Sequence, residues 1–595
     1  MPIYYVDSIL VTAMQLRKLV FIFILINLAL IATLNAQQLT GTVIDSSTNN
    51  PISGAMVTLH GGSIQVFSAL DGSFSMDVSG SNLLIVGAAK GYYYQSTTTN
   101  SPATGLIIAL DPVPLADNTA YEVRPPSECG SCHPKQFSDW ENSPMAKAGF
   151  NTWVNDIYNG DGTPAGSGGF VYTRDSAFAQ SNPNSECASC HQPKGWIESP
   201  FIALDSNVIT PTESVQHGVS CDVCHKVANV DVSKINFPGI FPSAVEYSRP
   251  HPGAQVQYGV LGDVDYSIPS LMRGSYQPQM RAELCATCHQ DAADPNENHS
   301  YSGVISEPTY LEWLASDYAD PNSGNFADCV DCHMGASPDN QVCSVIMTPD
   351  RPVESVRNHM IEGSTPAYLE NAVTMDMQVT TSDTQISVNV RIDNNLTGHH
   401  VPTGVTVRNM ILVVEAWEDG DDPITDGLTH TGTQTIHDLG GIGDPAQGYY
   451  AGLAGKFYAK VNHDASGNGP TFFTDATGLM FDNRIAANES DTTNYTFELP
   501  NYRADIKVRA RLIYRKAFRF LVDAKNWTED GHGNPLADVA APHFGHLMES
   551  SEITVGAGMT IIPMINQNIL LFIAILFFIT GILTIYKIRL KTRYC

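Results

Sequence analysis

A single motif, Cys-x-x-Cys-His, occurs five times in this 595-residue sequence. Two thiols three residues apart lie on one local turn, where both can add to the vinyl groups of a haem, and the imidazole that follows can bind the iron as its proximal ligand. Five copies of the motif therefore predict five covalently attached haem c groups. The predicted attachment cysteines are Cys129 and Cys132, Cys187 and Cys190, Cys221 and Cys224, Cys285 and Cys288, and Cys329 and Cys332, and the predicted proximal iron ligands are His133, His191, His225, His289 and His333.

Zinc knuckles and disulfides are the other structures that paired cysteines can form. A structural zinc ion takes four Cys or His ligands, and it gives no reason for a His directly after every second Cys. The five motifs use ten of the twelve Cys, so that only Cys343 and Cys595 remain for any disulfide. The pattern therefore favours haem over both alternatives, and it assigns no role to the two remaining cysteines.

Residues 1–36 have the pattern of a secretory signal peptide. Arg17 and Lys18 precede an apolar run over residues 19–34, which ends at the small-residue sequence Leu34-Asn35-Ala36. This order of charge, apolar core and cleavage site is typical of exported proteins. We expect cleavage after Ala36, with an uncleaved anchor as the alternative.

A second apolar segment lies near the other end of the sequence. No charged residue occurs between Glu552 and Lys587, and residues 565–586 are long and apolar enough to cross a bilayer as a helix. Four basic residues follow in the tail 587–595, which predicts that the tail is cytoplasmic. A buried core helix is the alternative, but such a helix has no reason to end beside positive charges. The predicted localisation is therefore export, with membrane anchoring by this helix and the body on the periplasmic or outer face.

Between these ends the sequence pattern divides the chain into three domains. Residues 37–115 alternate apolar and polar residues around turn-forming pairs such as Asp71-Gly72, which predicts a small β-sandwich. Residues 116–365 hold the five motifs in sequence rich in Gly, Pro, Asn, Asp and Ser, which is typical of short helices and loops around haem. Residues 366–555 return to alternating and β-branched apolar runs, which predict a β-sandwich-like domain. The predicted fold class is thus multidomain, with two β-sandwiches, a loop-and-helix multihaem domain and one C-terminal transmembrane helix.

The segment 37–115 resembles the carboxypeptidase regulatory-like domain. The resemblance implies a compact β-sandwich with an accessory or spacer role and no peptidase chemistry. It rests on Pro51, Gly54, Ala55, Val57, Asp71, Gly72, Phe74, Gly91 and Tyr92.

The second iron ligands bear directly on function. An iron with a His on each side is saturated and suits electron transfer, whereas an iron with one protein ligand keeps a position open for substrate. His217 lies four residues before Cys221 and is the best placed by sequence, while His251 and His299 can equally be ligands or ordinary loop residues. The histidines of the last β-rich region, His532 among them, are expected to be structural or surface residues.

The motif order resembles the multihaem cytochrome c-554-like family of exported electron carriers. The resemblance runs through QFSDW, NSPMA, HGVSCDVCH, CVDCHM and NHM, and it extends to NNLTGHHVPTG, which is similar to a GH-x-x-PTG signature of larger members. It implies distal ligation by His217, His359 and His399. Met145 stands where the family often has His. Its thioether can bind an iron, it can fill the core, or it can leave one haem five-coordinate.

These observations predict a membrane-anchored, exported pentahaem cytochrome that transfers electrons to and from redox proteins, including other cytochromes. The alternative is a multihaem oxidoreductase that acts on a small inorganic nitrogen or sulfur compound at a five-coordinate haem. The sequence contains no CxxCK variant, which weakens that alternative, and no catalytic residue is predicted. A subunit of an extracellular cytochrome filament is a third possibility.

A net charge of −29 argues against nucleic acid as a partner.

Overall fold

The computed structural model describes most of the chain between residues 38 and 556. Over these residues the chain is a mixed helix-and-sheet protein, in which two β regions flank a segment of short helices and loops. The described ranges are 38–234, 244–268, 270–292, 304–338, 342–344, 351–499 and 504–556. The signal peptide predicted at 1–36, the transmembrane helix predicted at 565–586, the basic tail 587–595 and the candidate ligand His299 lie outside the described residues.

Two sheets of the N-terminal region pack around one apolar core. The strands are β1 (Gln38–Asp45), β2 (Met56–Leu59), β3 (Gln65–Phe67), β4 (Ser73–Asp77), β5 (Gly80–Ala88), β6 (Gln95–Ser101) and β7 (Ala103–Leu110). One sheet has the order β4-β1-β7 and the other β3-β2-β5-β6. Every second residue of a strand points to the same face, and Leu39 and Val43 of β1 are accordingly fully buried.

The segment that carries the five motifs consists of short helices, small sheets and loops. Pro at the first helical position has a backbone angle suited to a helix start, and Pro134–Glu141 begins in this way. The α-helices are Pro126–Gly130, Pro134–Glu141, Thr152–Tyr158, Tyr172–Asp175, Cys187–His191, Pro193–Glu198, Glu213–His217, Cys221–His225, Ala282–Ala286, Thr309–Leu314, Cys329–His333 and Pro366–Leu369. The strands are β8 (Val227–Val230), β9 (Val245–Tyr247), β10 (Gln257–Gly259), β11 (Ser267–Ile268), β12 (Met272–Tyr276), β13 (Asp291–Ala292) and β14 (Ile305–Glu307).

The C-terminal region is built on a three-stranded and a four-stranded antiparallel sheet. Its strands are β15 (Thr374–Thr381), β16 (Gln385–Asp393), β17 (Asn409–Glu418), β18 (Gly455–Tyr458), β19 (Lys460–His463), β20 (Gly478–Asp482), β21 (Ser490–Glu498), β22 (Ile506–Arg515) and β23 (His546–Val555), and its one α-helix within the described residues is Arg519–Lys525. The sheet orders are β15-β16-β21 and β18-β17-β22-β23, with β19-β20 as a separate pair. Both faces of β17 are buried, because Leu412 packs in the core between the sheets and Ile411 packs in a second apolar cluster on the other face.

No helix in the described part of the chain is long and apolar enough to cross a membrane. The longest α-helix described, Pro134–Glu141, has eight residues. At a rise of about 1.5 Å per residue it is roughly 12 Å long, whereas the hydrocarbon core of a bilayer is about 30 Å thick. The predicted fold class and the predicted membrane-anchored localisation are therefore corrected: the structure supports a mixed helix-and-sheet multidomain chain, without support for the C-terminal transmembrane anchor.

Both β regions are held against the motif-bearing segment by specific contacts. On the N-terminal side, the Ser96 hydroxyl donates to the Asp265 carboxylate at 2.8 Å. On the C-terminal side, the rings of Trp153 and Trp527 stack with their centroids 3.9 Å apart. Loops of the C-terminal β region are thereby brought to the cysteine motifs, although these loops lie far from the motifs in sequence.

Candidate functional site

All five Cys-x-x-Cys-His motifs line one cavity of about 2450 Å³. The wall of this cavity comes mainly from the short helices and loops of the motif-bearing segment. The loop 396–408, which precedes β17, closes part of it from the C-terminal β region. The fold therefore gathers into a single space the thiols and imidazoles that are spread over more than two hundred residues of sequence.

The motifs owe their local shape to single helical turns. Three of them, Cys187–His191, Cys221–His225 and Cys329–His333, are one-turn helices that begin at the first Cys and end at the His. The turn at Cys329–His333 has a reciprocal cap, because Asp331 N donates to the Asp328 carboxylate at 3.0 Å and Asp328 N donates to the Asp331 carboxylate at 3.1 Å. Such a capping box satisfies backbone donors at a helix start, and it stabilises the turn that carries both thiols.

The Nδ1 atom of each motif histidine has a hydrogen-bond acceptor. In four motifs the acceptor is a backbone carbonyl oxygen: Val342 for His133, Ala148 for His191, Tyr258 for His225 and Glu362 for His333. The exception is His289, whose Nδ1 lies 3.3 Å from the carboxylate Oε1 of Glu307. A hydrogen bond from Nδ1–H fixes the tautomer of the ring and leaves Nε2 free to bind a metal.

Two motif histidines face a second histidine. The ring centroids of His225 and His359 are 6.4 Å apart with an interplanar angle of 20°, and those of His333 and His399 are 6.3 Å apart with an angle of 10°. A metal–imidazole bond is about 2 Å long, so two imidazoles bound in line to one metal have their ring centres roughly 6 Å apart. Both pairs therefore have the spacing of two axial ligands on one iron, and the residues of the cavity fit haem in this respect.

The ionisation of the two opposing histidines also suits a metal. Burial, with a smaller contribution from His225, lowers the pKa of His359 to about 4. Burial also lowers the pKa of His399. Iron binds the neutral imidazole, and a lowered pKa keeps that form dominant at neutral pH.

The other candidate distal ligands are found in different surroundings. His217 ends the helix Glu213–His217 and is half-buried. His251 is exposed. Met145 is half-buried and lines the cavity, and its carbonyl oxygen accepts a hydrogen bond from Val219 N at 2.9 Å. The structure thus brings His359 and His399 opposite motif histidines, and it places His217 and His251 in no such ring pair among the described residues.

Contacts between cysteine sulfurs show which motifs are neighbours. The fourth motif contacts the second and the fifth, the first contacts the third, and the third and fourth lie within electrostatic range, so all five lie close together. The contacts are Cys190 with Cys288, Cys285 with Cys329, and Cys129 with Cys221, and Cys224 lies within electrostatic range of Cys288. Cys343, the one cysteine outside the motifs in the described part of the chain, is half-buried and lines the same cavity beside the first motif, where Ser344 N donates to Cys132 O at 2.9 Å.

Two carboxylates lie beside the fourth motif. The antiparallel pair β13–β14 places Asp291 opposite Glu307. Burial and the neighbouring Glu307 raise the pKa of Asp291 to about 7. Burial opposes ionisation of Glu307 as well, but the His289 hydrogen bond and the charge of Arg408 outweigh it and hold the pKa of Glu307 below its usual value. The pKa of Glu307 therefore lies below that of Asp291, and Glu307 is the more acidic carboxylate of the pair.

Two histidines of the last β-rich region, His532 and His546, line the cavity wall. His532, expected to be structural or superficial, is half-buried and lines the cavity, and its Nδ1 has no hydrogen-bond partner among the described residues. Burial, with a smaller contribution from His532, lowers the pKa of His191. No local pattern in the sequence marks His532, because its neighbourhood with the second motif arises only from the packing of the C-terminal β region.

Comparison with known proteins identifies part of the chain. Residues 128–226, which include the first three motifs, match the family described as cytochrome c554 and c-prime. A solved penta-heme cytochrome c552 from Thermochromatium tepidum is 20% identical, with a TM-score of 0.48 and coverage of 73% of this chain and 99% of that one. A putative membrane-associated protein of unknown function from Bacteroides fragilis is 10% identical, with a TM-score of 0.11 and coverage of 80% and 87%. No curated protein matches the chain. Since both TM-scores are below 0.5, the family match carries the identification.

Proposed function

We propose that this chain, which is a multihaem electron-transfer cytochrome of the c type, binds five haem c groups and passes electrons between redox proteins. The family match over residues 128–226 supports haem c. Five Cys-x-x-Cys-His motifs around one cavity support the number five. In each motif the two thiols would form the covalent bonds to the group and the His would bind its iron.

The residues of the cavity are suited to binding these groups. When bound, haem c supplies an iron that accepts and releases one electron. His225 and His359 would hold one iron, and His333 and His399 another. The carbonyl oxygens that accept from Nδ1 of the motif histidines orient the rings, so that Nε2 is presented to the metal.

The single observation that carries the proposal is the opposition of two imidazoles at each of two motifs, with ring centroids 6.4 and 6.3 Å apart. An iron with two His ligands has no open position for a substrate, so this arrangement favours electron transfer over catalysis at those two sites. The close placement of the five motifs supports the same function, because electrons can cross a protein only between redox groups that lie close together. The donor and acceptor would be redox proteins, including other cytochromes.

The proposal is tested on the full chain produced in a host that attaches c-type haem. We expect an intact mass with five added haems and low-spin EPR signals from the two bis-histidine irons. His359→Ala should convert one haem in five to the high-spin form, whereas the matched variant His251→Ala, at an exposed histidine, should convert none.

Three other outcomes would change the proposed function or one of its residue assignments. A chain without added haem mass would overturn the proposed function. A chain with five haems whose spectrum is unchanged by His359→Ala would overturn the assignment of His359. A high-spin haem already present in the unmodified chain would favour the oxidoreductase alternative for that site.

A further inference from the structure

The fourth motif histidine has a charged acceptor, whereas the other four have neutral ones. His289 Nδ1 lies 3.3 Å from Glu307 Oε1, and the Glu307 side chain is 19% exposed. The acceptors of the other motif histidines are backbone carbonyl oxygens. A carbonyl oxygen carries only a partial charge, while an ionised carboxylate carries a full one. The surroundings of His289 are therefore electronically different from those of its four counterparts.

The fold holds Glu307 in this position from two sides. Glu307 is the last residue of β14, which pairs with β13 directly after the motif, and Asp291 of β13 lies opposite it. From the C-terminal β region, the Lys460 ammonium donates to the carbonyl oxygen of Ile305 in the same strand. Contacts from two neighbouring elements therefore fix the strand that places Glu307 beside His289.

We propose that Glu307 is a positioning residue that holds the reduction potential of the iron bound by His289 below the value that a neutral acceptor would give. This inference rests on the proposed function, because it requires haem at the fourth motif. A carboxylate that accepts from Nδ1–H increases the basicity of the imidazole. The more electron-rich ligand stabilises ferric iron over ferrous iron, and hydrogen bonding outside the ligand set is one of the means by which a protein tunes haem.

The position of the fourth motif determines which electron transfers are affected by the lowered reduction potential. Its Cys285 and Cys288 contact Cys329 of the fifth motif and Cys190 of the second, and Cys288 also lies near Cys224 of the third. Glu307 therefore acts at the motif that lies near three of the other four. A lowered potential here makes electron transfer onto the fourth haem less favourable, and so affects transfer through it between the second, third and fifth motifs, whereas the same change at the first motif would affect only one end of the set.

The test compares Glu307→Gln with Asp291→Asn by potentiometric titration of the haem-loaded chain, followed by EPR. Glu307→Gln keeps an acceptor of the same shape and removes its charge. We expect one of five potentials to rise by a tenfold change in the reduction equilibrium constant, about 59 mV for a one-electron couple. Asp291→Asn changes the carboxylate opposite, which does not accept from His289, and we expect a clearly smaller change. Five unchanged potentials in Glu307→Gln, or equal shifts in the two variants, would overturn the proposal.

A second variant covers the case in which Glu307→Gln loses haem. Glu307→Asp keeps the charge but is one methylene shorter, so the hydrogen bond is weakened and an intermediate upward shift is expected; a potential equal to that of the unmodified chain would overturn the proposal. Haem content is measured on every variant, so that a failure of the proposed function can be told apart from a failure of the role of Glu307. An unmodified chain without five haems overturns the proposed function, whereas fully loaded variants with unmoved potentials overturn only the role of Glu307.

Discussion

His333 and His399 face each other with ring centroids 6.3 Å apart and ring planes 10° apart. Nδ1 of His333 bonds the carbonyl oxygen of Glu362, and Nδ1 of His399 bonds that of His400, so Nε2 is the free nitrogen of each ring. His333 ends the fifth motif, whereas His399 lies in the loop before β17. Under the proposed function, one iron site would be completed by a residue from the loop before β17, which would give the C-terminal β region a direct part in haem binding.

Replacing His399 by Ala should leave the iron of the fifth motif with one protein ligand. The cysteines are untouched, so all five haems should remain attached, but loss of one of two imidazoles converts a low-spin iron into a high-spin one. We expect a high-spin EPR signal that integrates to one haem in five. Intact mass measured on the same sample verifies that the haem content is unchanged.

The neighbouring His400 provides the matched control. Its ring is directed to the buried Glu312, with His400 Nδ1 3.6 Å from Glu312 Oε1, rather than to a motif histidine. His400→Ala should therefore keep every haem low-spin. If both variants produced the same high-spin signal, a general disturbance of the loop would explain it, and His399 would lose its assignment as a ligand.

The parts of this molecule that can be predicted from the sequence are those specified by local patterns. The five motifs are read directly, and the alternation of β16, Gln385–Asp393, predicts both the strand and its buried face. The end of the helix Pro134–Glu141, whose C-cap is Asn142, also has a local cause, because Pro144 disfavours helical geometry in the residue before it.

The parts that could not be predicted depend on long-range packing. The acceptors of four motif histidines are backbone carbonyls, which any residue type supplies, so no sequence signal marks them. Glu307 follows His289 by eighteen residues, and nothing local distinguishes it from other acidic residues. His532 reaches the cavity only through the docking of the C-terminal region. The transmembrane helix, by contrast, is predicted from a long uncharged apolar run and the basic residues after it, and no described helix supports it.

Arg484 should be among the residues most important for stability. Its guanidinium lies 2.6 Å from Glu312 Oε1, and the two side chains are 4% and 5% exposed. Removing one partner of a buried ion pair leaves an uncompensated charge, which costs about 3–5 kcal/mol. We expect Arg484→Met to lower the free energy of unfolding by about 3 kcal/mol, because Thr403 and His400 N still donate to Glu312. Urea unfolding followed by circular dichroism measures this loss.

A double-mutant cycle shows whether the loss of stability comes from the pair itself. Glu312→Gln combined with Arg484→Met should cost less than the sum of the single changes, because Glu312→Gln removes the carboxylate that Arg484→Met leaves behind, while Asp482, the second partner of Arg484 at 2.7 Å, is the same throughout the cycle. Lys456→Met is the control at a more exposed ion pair with Asp491, where the expected loss is below about 1 kcal/mol. Additive single effects in the cycle would contradict the expected coupling.

Lys460 should make stability depend on alkaline pH. Burial, together with the charge of Arg484, lowers the pKa of Lys460 to about 8, whereas a lysine in the unfolded chain has a pKa of about 10.4. Between pH 8 and 10 the unfolded state therefore binds more protons than the folded state, and the contribution of Lys460 to the free energy of unfolding rises with pH. The side chain is 8% exposed, so we expect a rise of about 2 kcal/mol over this interval.

Lys460→Met should remove this rise, and urea unfolding at several pH values between 7.5 and 10 compares the two chains. Lys507 is a control whose pKa is shifted in the opposite direction. Its hydrogen bond to Asp419 raises its pKa, so the stability it contributes is present below the unfolded-state pKa and is lost as pH rises through the higher folded-state value. Lys507→Met should therefore leave the rise between pH 8 and 10 intact. A Lys460→Met chain with the same pH slope as the unmodified chain would show that Lys460 is protonated in the folded state throughout this interval, despite its burial beside Arg484.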